Sequence, residues 1–518
     1  MRHLIALFAK RSAGLFFLLF ALSFSVHAQK KPTGLIFDVP SYRGTPYKAK
    51  LTAASYASVP AAASLEQYCP TPGDQGRYST CVAFAVAYHT RTILTARQRG
   101  LSNKADIDRL VHSPTWVYEH IKDDDDHDCQ NGSNPILALE LLKLGGCPTL
   151  SVLPYACGAP ITEQAKRNAL DFRLDDYQIL FLPDETDPKV KIQTTKKAIA
   201  EGYPVILCFI VPESFYTASP VWTPASTDGG PSGAHGRHAM CVVGYDDNKS
   251  GGAFRVLNSW GPKWCDNGYV WIRYDDYANY AIGALQAYPA PLPEPEPPKP
   301  APKPEPKPEP KPEPRPEPRP EPPVVATKLS GVVEFRLNTG DPMPVSKILT
   351  RNLIIEDDVP VENYREDLVA YRMDREYSSG TRFRFYITTN TESYIYAFAT
   401  DLTGKVNKLL PFDDGMSPHI GPNSQIAFPS ETKVVRLDDT KGTDYMLILF
   451  SAEKLDHNAI LQKMNGVKGG LSAKIRAALG DKLIPPSQVQ YRLNQVGFDV
   501  EGKVQGKVVP LMVEITHN

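Results

Sequence analysis

A cysteine stands where a polar loop turns into an apolar run. In Gln75-Gly76-Arg77-Tyr78-Ser79-Thr80-Cys81-Val82-Ala83-Phe84-Ala85 the change falls at Cys81. A thiol in the first turn of a helix is a candidate nucleophile, because the helix N-terminus favours the thiolate. Thiolate acyl transfer also needs a base, an orienting partner for that base and donors for an oxyanion. The base candidate is His238, heading the apolar run His238-Ala239-Met240-Cys241-Val242-Val243-Gly244-Tyr245 and preferred to His235 in the Gly/Ser-rich loop before it. The orienting candidate is Asn258, in Val256-Leu257-Asn258-Ser259-Trp260-Gly261. Its side-chain carbonyl can accept from the second imidazole nitrogen, and Trp260 can cover that bond. Gln75, six residues before the thiol, offers its amide to the oxyanion beside the Cys81 N–H.

Helices come first in this half of the chain and strands second. Small and apolar residues recur at helical spacing over 80–99. Ser113-Pro114 reads as an N-cap followed by proline at N1, and Asn134 or Ser133 caps a helix over 135–144 that Gly145-Gly146 ends. Strand-length apolar runs follow at 204–211, 238–245, 253–257 and 269–273, with His238 and Asn258 at the ends of neighbouring ones. This order implies an α+β domain of two lobes. The acidic loop 122–128 reads as solvated, because an EF-hand's Gly and Glu are missing from it; no metal or cofactor is expected.

The motifs resemble those of the papain family of cysteine peptidases. Asp74-Gln75-Gly76 through Cys81-Val82-Ala83-Phe84, His238 through Tyr245, and Asn258 through Tyr269 match three family patterns in order and spacing. The stretch Leu139-Glu140-Leu141-Leu142-Lys143-Leu144-Gly145-Gly146 resembles the helix after the family's substrate-binding glycine loop. The resemblance implies a helical lobe plus a β-barrel lobe over residues 64–288. It also implies Cys81 as nucleophile, His238 as base, Asn258 as orienter and Gln75 in the oxyanion hole, with Asn131, Gly132 and Trp260 on the substrate side. Departures are specific. Val82 replaces the usual Trp after the nucleophile, Tyr78 replaces a Cys, Cys129 lacks its usual mate, and the glycine loop keeps one Gly. No long inhibitory propeptide is evident between Gln29 and Leu65; residues 29–63 read as an extended arm, which either leaves the chain without zymogen control or supplies it.

The rest of the 518 residues sets context. Basic residues before an apolar run, then Val26-His27-Ala28, read as a secretory signal over 1–28, so a secreted or periplasmic location is expected. Eight cysteines lie between Cys69 and Cys265; Cys147 and Cys157 are placed to bridge locally, and Cys208 and Cys241 read as buried apolar residues. Residues 289–324 alternate Pro with Glu, Lys and Arg, which predicts a stiff polyproline II spacer roughly 100 Å long if straight. Residues 325–518 read as a mainly β sandwich for binding or interaction, its partner a cell-envelope component or a protein. This unit weakly resembles a β-rich bacterial domain of unassigned function. A formal charge of −1 argues against a basic nucleic-acid binder. The expectation is an exported cysteine endopeptidase acting on peptide or protein substrates. The competing readings are an acyl-transferring ligase and a degenerate papain-fold binding module.

Overall fold

The computed structural model describes residues 31–292, 325–348, 368–400 and 404–518. The expected signal segment, and all but the first four residues of the Pro-rich segment, lie outside the described residues. Among the described residues no helix is long and apolar enough to cross a membrane.

The first unit has a helical lobe built around the Cys81 helix. That helix is α over Cys81–Ala83, π over Phe84–Arg91 and α again over Thr92–Gln98. Val82, Ala83, Ala85, Val86 and Ala87 are all buried, and such small side chains let a helix run through the lobe's centre. Two further helices pack on it. Pro114–Ile121 starts at Ser113, whose Oγ accepts from the Trp116 amide. Pro135–Gly145 is capped by Asn134 and stopped by Gly146 at φ 72°. Three helices thus bury their apolar faces in one cluster.

The second lobe is an eight-stranded sheet. Its hydrogen-bonded order is Leu174–Ile179, Ala281–Pro289, Val205–Val211, Gly236–Asp246, Ala253–Leu257, Tyr269–Arg273 and Val221–Trp222, with Ala62–Ser64 paired to Gly236–Asp246. Val205–Val211 and Ala253–Leu257 are buried on nearly every residue, which is why the first reads as a continuous apolar run and the second is apolar at every position but Arg255. His238 lies in the Gly236–Asp246 strand opposite Phe209, and Asn258 directly follows the strand next to it.

The cysteine pairing differs from the expectation. Cys129 and Cys157 form a disulfide, while Cys147 is free and buried, its Sγ turned to the carbonyls of Ser113 and Pro148. The missing mate of Cys129 therefore lies 28 residues downstream, not in the position that Tyr78 holds. Cys208 and Cys241 are free and buried, as small apolar residues would be.

The second unit is a sandwich of a seven-stranded and a six-stranded sheet enclosing one large apolar cluster. The Ser393–Thr400 strand shows why its pattern looks apolar throughout. Ile395 and Ala397 face the sandwich core, while Tyr394, Tyr396 and Phe398 face a second cluster formed with helices His457–Gly466 and Leu471–Leu479. Helices cover one sheet, so both of its faces are dry.

The N-terminal arm is less extended than its composition suggests. Asp38 caps a short helix at Val39–Gly44, and Thr52 caps another at Ala53–Ala57. The arm also joins the units. Tyr47 bridges to Ile179 of the first unit and to Met416 of the second. Ala49 and Leu51 sit in the apolar core of the second unit. The two units are therefore in contact rather than held a rod's length apart.

Candidate active site

Cys81 is placed by its helix and by the strand carrying His238. Thr80, at the N-cap, makes no side-chain cap bond to the helix; its Oγ1 lies 2.7 Å from the Tyr155 hydroxyl instead. The amides of Cys81 and Val82 point at the sulfur, and the Ala239 amide donates to it at 3.4 Å. Cys81 and His238 are both fully buried.

The His238 ring is fixed from two sides. Its Nε2 lies 2.8 Å from Oδ1 of Asn258. The Ser259 amide donates to that same Oδ1 at 2.8 Å, which marks the atom as oxygen and makes Nε2 of His238 the protonated nitrogen. Nδ1 is left bare, without a protein hydrogen bond, and so able to take the thiol's proton. Trp260 stacks on the imidazole at 4.7 Å and 30°. Gln75 is held through Ser259: its amide donates to the Ser259 carbonyl, and its Oε1 accepts from the Ser259 hydroxyl at 2.6 Å. Its Nε2 donates to the Tyr78 carbonyl at 2.8 Å and to the Pro32 carbonyl at 3.2 Å. Cys81, His238, Asn258, Gln75 and Trp260, scattered over the sequence, thus share one buried region.

Pro32 belongs to the arm, and the arm occupies the cleft. The Ile36 amide donates to the Ser133 carbonyl at 3.0 Å, and the Ser133 amide donates to the Gly34 carbonyl at 2.9 Å, a parallel bridge centred on Leu35. The amides of Gly34 and Leu35 both donate to the Arg237 carbonyl, at 3.3 and 3.2 Å. Trp260 Nε1 joins Gln75 on the Pro32 carbonyl. Leu35 is 6% exposed and lies in the same apolar cluster as Cys81 and Val82, a burial that contributes about 2 kcal/mol. Two glycines permit the approach. A Cβ on Gly34 would stand 2.1 Å from the Ser79 carbonyl oxygen, and one on Gly132, at φ +85°, would stand 2.3 Å from the Gly34 carbonyl oxygen.

The arm is seated as a plug rather than as a substrate. The Gly34 amide, whose hydrogen bond goes to the Arg237 carbonyl at 3.3 Å, is also among the backbone N–H dipoles that favour the Cys81 thiolate, so the arm brings an N–H to the sulfur. Burial pushes the Cys81 thiol up to about 12, against the backbone amides that lower it. Burial likewise pushes His238 down to about 4, against the bond to Asn258 that raises it. In this closed cleft the pair is neutral, and the thiolate–imidazolium pair that acyl transfer requires is not favoured until water returns.

The substrate-side residues divide. Gly132 lines the plug, but the Asn131 amide is turned away to the Asp126 carboxylate at 3.4 Å. Ser133 and the Arg237 carbonyl carry the backbone pairing instead. Neither has a side-chain signal in the sequence, although each adjoins a residue that has one. Asp126 also departs from the solvated-loop reading. It is buried and accepts from the Tyr118 hydroxyl and the Gln130 amide, so it organises its loop.

Comparison with known proteins finds a likeness for each unit. Residues 66–290 match the family model described as "Papain family cysteine protease", and residues 376–454 match one described as "Domain of unknown function (DUF4384)". Over residues 66–290, then, the chain is similar to papain-family cysteine proteases. An uncharacterized peptidase C1-like protein L477 of Acanthamoeba polyphaga mimivirus is 26% identical over 211 residues, 39% of this chain and 63% of that protein. Vignain of Vigna mungo is 25% identical over 202 residues, 38% of this chain and 49% of vignain. The chain thus spans from about half to less than two thirds of the length of these relatives. Among solved structures, xylellain, a cysteine protease from Xylella fastidiosa, is 22% identical with a TM-score of 0.41, covering 50% of this chain and 96% of that one.

Proposed function

We propose that the protein is an exported cysteine endopeptidase that hydrolyses peptide bonds through Cys81, His238 and Asn258. One observation carries the reading: two donors fix Oδ1 of Asn258, which sets the His238 tautomer and leaves Nδ1 free beside the Cys81 helix. In the open cleft Nδ1 takes the thiol proton and the sulfur attacks the peptide carbonyl carbon. The oxyanion is held by the Gln75 amide and the Cys81 N–H. The C–N bond breaks as His238 returns its proton to the leaving amine, and water then hydrolyses the thioester. Peptide and protein substrates follow from the extended backbone pairing that Ser133 and Arg237 give the arm. Export is supported by the leader composition of residues 1–28. The second unit serves binding or interaction in this reading.

The test uses the full chain with Gly34→Leu, whose added side chain has no room beside Ser79 and unseats the arm. An epoxide-type thiol inhibitor is expected to label Cys81, and a peptide library is expected to be cut. Adding Cys81→Ala should abolish both while circular dichroism stays unchanged. Equal labelling with and without Cys81 would remove the assignment.

A further inference from the structure

The arm does two jobs at two ends. Residues 31–37 fill the cleft, and residues 47–56 are built into the second unit. The Tyr47 amide donates to the Gly415 carbonyl at 2.7 Å, and the Ser417 amide returns a bond to the Tyr47 carbonyl at 2.9 Å. The Thr52 amide donates to the Gln425 carbonyl, the Gln425 amide to Ser55 Oγ, and the Ala53 amide to the Glu431 carboxylate. On the other side, the Lys48 amide donates to the Ile179 carbonyl and the Ile179 amide to the Pro46 carbonyl. Tyr42 anchors the stretch between the two ends, its hydroxyl donating to the carbonyls of Phe181 and Ala284.

A buried ionic cluster closes the seam. Glu201 of the first unit pairs with Lys48 of the arm at 2.8 Å and with Lys197 at 3.6 Å, all three side chains at most 5% exposed. Lys197 also donates to the carbonyls of Pro422 and Asn423, and Ser424 Oγ donates to Glu201. Lys454 of the second unit pairs with Asp176, and Tyr394 donates to Asp175. Buried charges of this kind tolerate no partial opening, because separating the partners strands each without water or a counter-charge.

We infer that the C-terminal β unit is an intramolecular latch that keeps the arm in the catalytic cleft, so that opening this seam releases Cys81. The physical basis is effective concentration. While residues 47–56 are fixed in the second unit's core, residues 31–37 re-bind faster than a freely moving arm would. A partner that takes the arm's place on the 415–431 surface would then switch the site on. The inference rests on the proposed function for what is released, but not for the coupling itself.

The coupling is read by amide hydrogen exchange in the full chain, independently of any chemistry at Cys81. Gly421→Leu places a side chain where even a Cβ would stand 2.2 Å from the Glu201 carboxylate, and so wedges the seam. Leu51→Asp opens it separately by burying a carboxylate in the second unit's core. With either variant the amides of Gly34, Leu35 and Ile36 are expected to exchange at least about 10-fold faster, and thiol labelling to rise in parallel. Gly34→Leu, which acts in the cleft, should free the same amides without deprotecting Thr52 or Gln425. If both seam variants deprotect Thr52 and Gln425 yet leave Gly34–Ile36 unchanged, or if neither variant frees those three amides, the latch is overturned. If the amides are freed but Cys81 stays unlabelled, the latch stands and the peptidase reading fails.

Discussion

The Ser133 amide donates to the Gly34 carbonyl across 2.9 Å, and this bond seats the N-terminal arm in the cleft beside Cys81. The site is consequently complete in its residues and closed in its state. Burial holds both the nucleophile and its base neutral, and the predictions below follow from that closure and from the contacts behind it.

Closure is expected to be strongest near neutral pH. His238 is lowered from 6.5 to about 4, so the unfolded chain takes up a proton first as pH falls, and the folded, closed state loses stability from about pH 6.5 down to about 4. Cys81 is raised from 9.0 to about 12, so the unfolded chain loses a proton first above pH 9 and the closed state weakens again there. Protection factors of the Gly34, Leu35 and Ile36 amides, corrected for intrinsic exchange, should therefore decline below pH 6.5. His238→Gln should flatten that acid limb. A wild-type profile level from pH 7 to 4 would contradict the assignment.

In the proposed reaction Asn258 acts through the imidazole. In the Gly34→Leu background, Asn258→Ala is expected to lower kcat by about 10- to 100-fold with KM little changed, because the ring loses its tautomer and orientation. Asn258→Asp keeps an acceptor and should restore much of the rate. Its carboxylate would also raise the His238 pKa and move the acid limb of the pH–rate profile upward. Loss of KM alone in Asn258→Ala would point to substrate contact instead.

The disulfide ties two loops beside the cleft. Cys157→Ser removes a bridge of separation 28, and the loop-closure model puts the loss on the order of 3 kcal/mol. Chemical denaturation should show this loss in wild type under reductant and in Cys157→Ser without it. Cys147→Ser should leave the reductant sensitivity intact, since Cys147 is free.

His89 is a buried group with no hydrogen bond at either ring nitrogen, and burial lowers it to about 3. Unsatisfied buried polar atoms cost about 1–3 kcal/mol each, so His89→Leu is expected to be neutral or stabilising at pH 7. It should stabilise further at pH 5, where the unfolded chain protonates this histidine and the folded chain does not. A loss of more than about 2 kcal/mol on denaturant titration would show that the ring makes a needed contact.

The helix starts at Pro114 and Pro135, the buried strands and the cluster of Cys81, His238, Asn258 and Gln75 were legible because each leaves a local mark. Ser-Pro and Asn-Pro cap helices, apolar runs of strand length fill a sheet, and catalytic residue types sit at element ends. Cys129 could not be matched to Cys157 by reading, since pairing depends on which loops the helical lobe brings together. Ser133 and the Arg237 carbonyl act through the backbone, and backbone hydrogen bonds carry no residue signature.

The sequence by itself determined which side chains are candidates for the proposed chemistry, because a thiol, an imidazole and two carboxamides are residue identities at fixed spacings. Tertiary structure alone decided whether they are free to do it. Pro32, Gly34 and Leu35 lie more than 40 residues before Cys81 and carry no charge or motif, yet they fill its cleft. Residues 47–51 read as extended arm, yet Ala49 and Leu51 are core of the second unit and Tyr47 packs against it. Both facts depend on long-range contacts whose stability comes from burial shared between distant segments, and that sharing is not written in either segment alone.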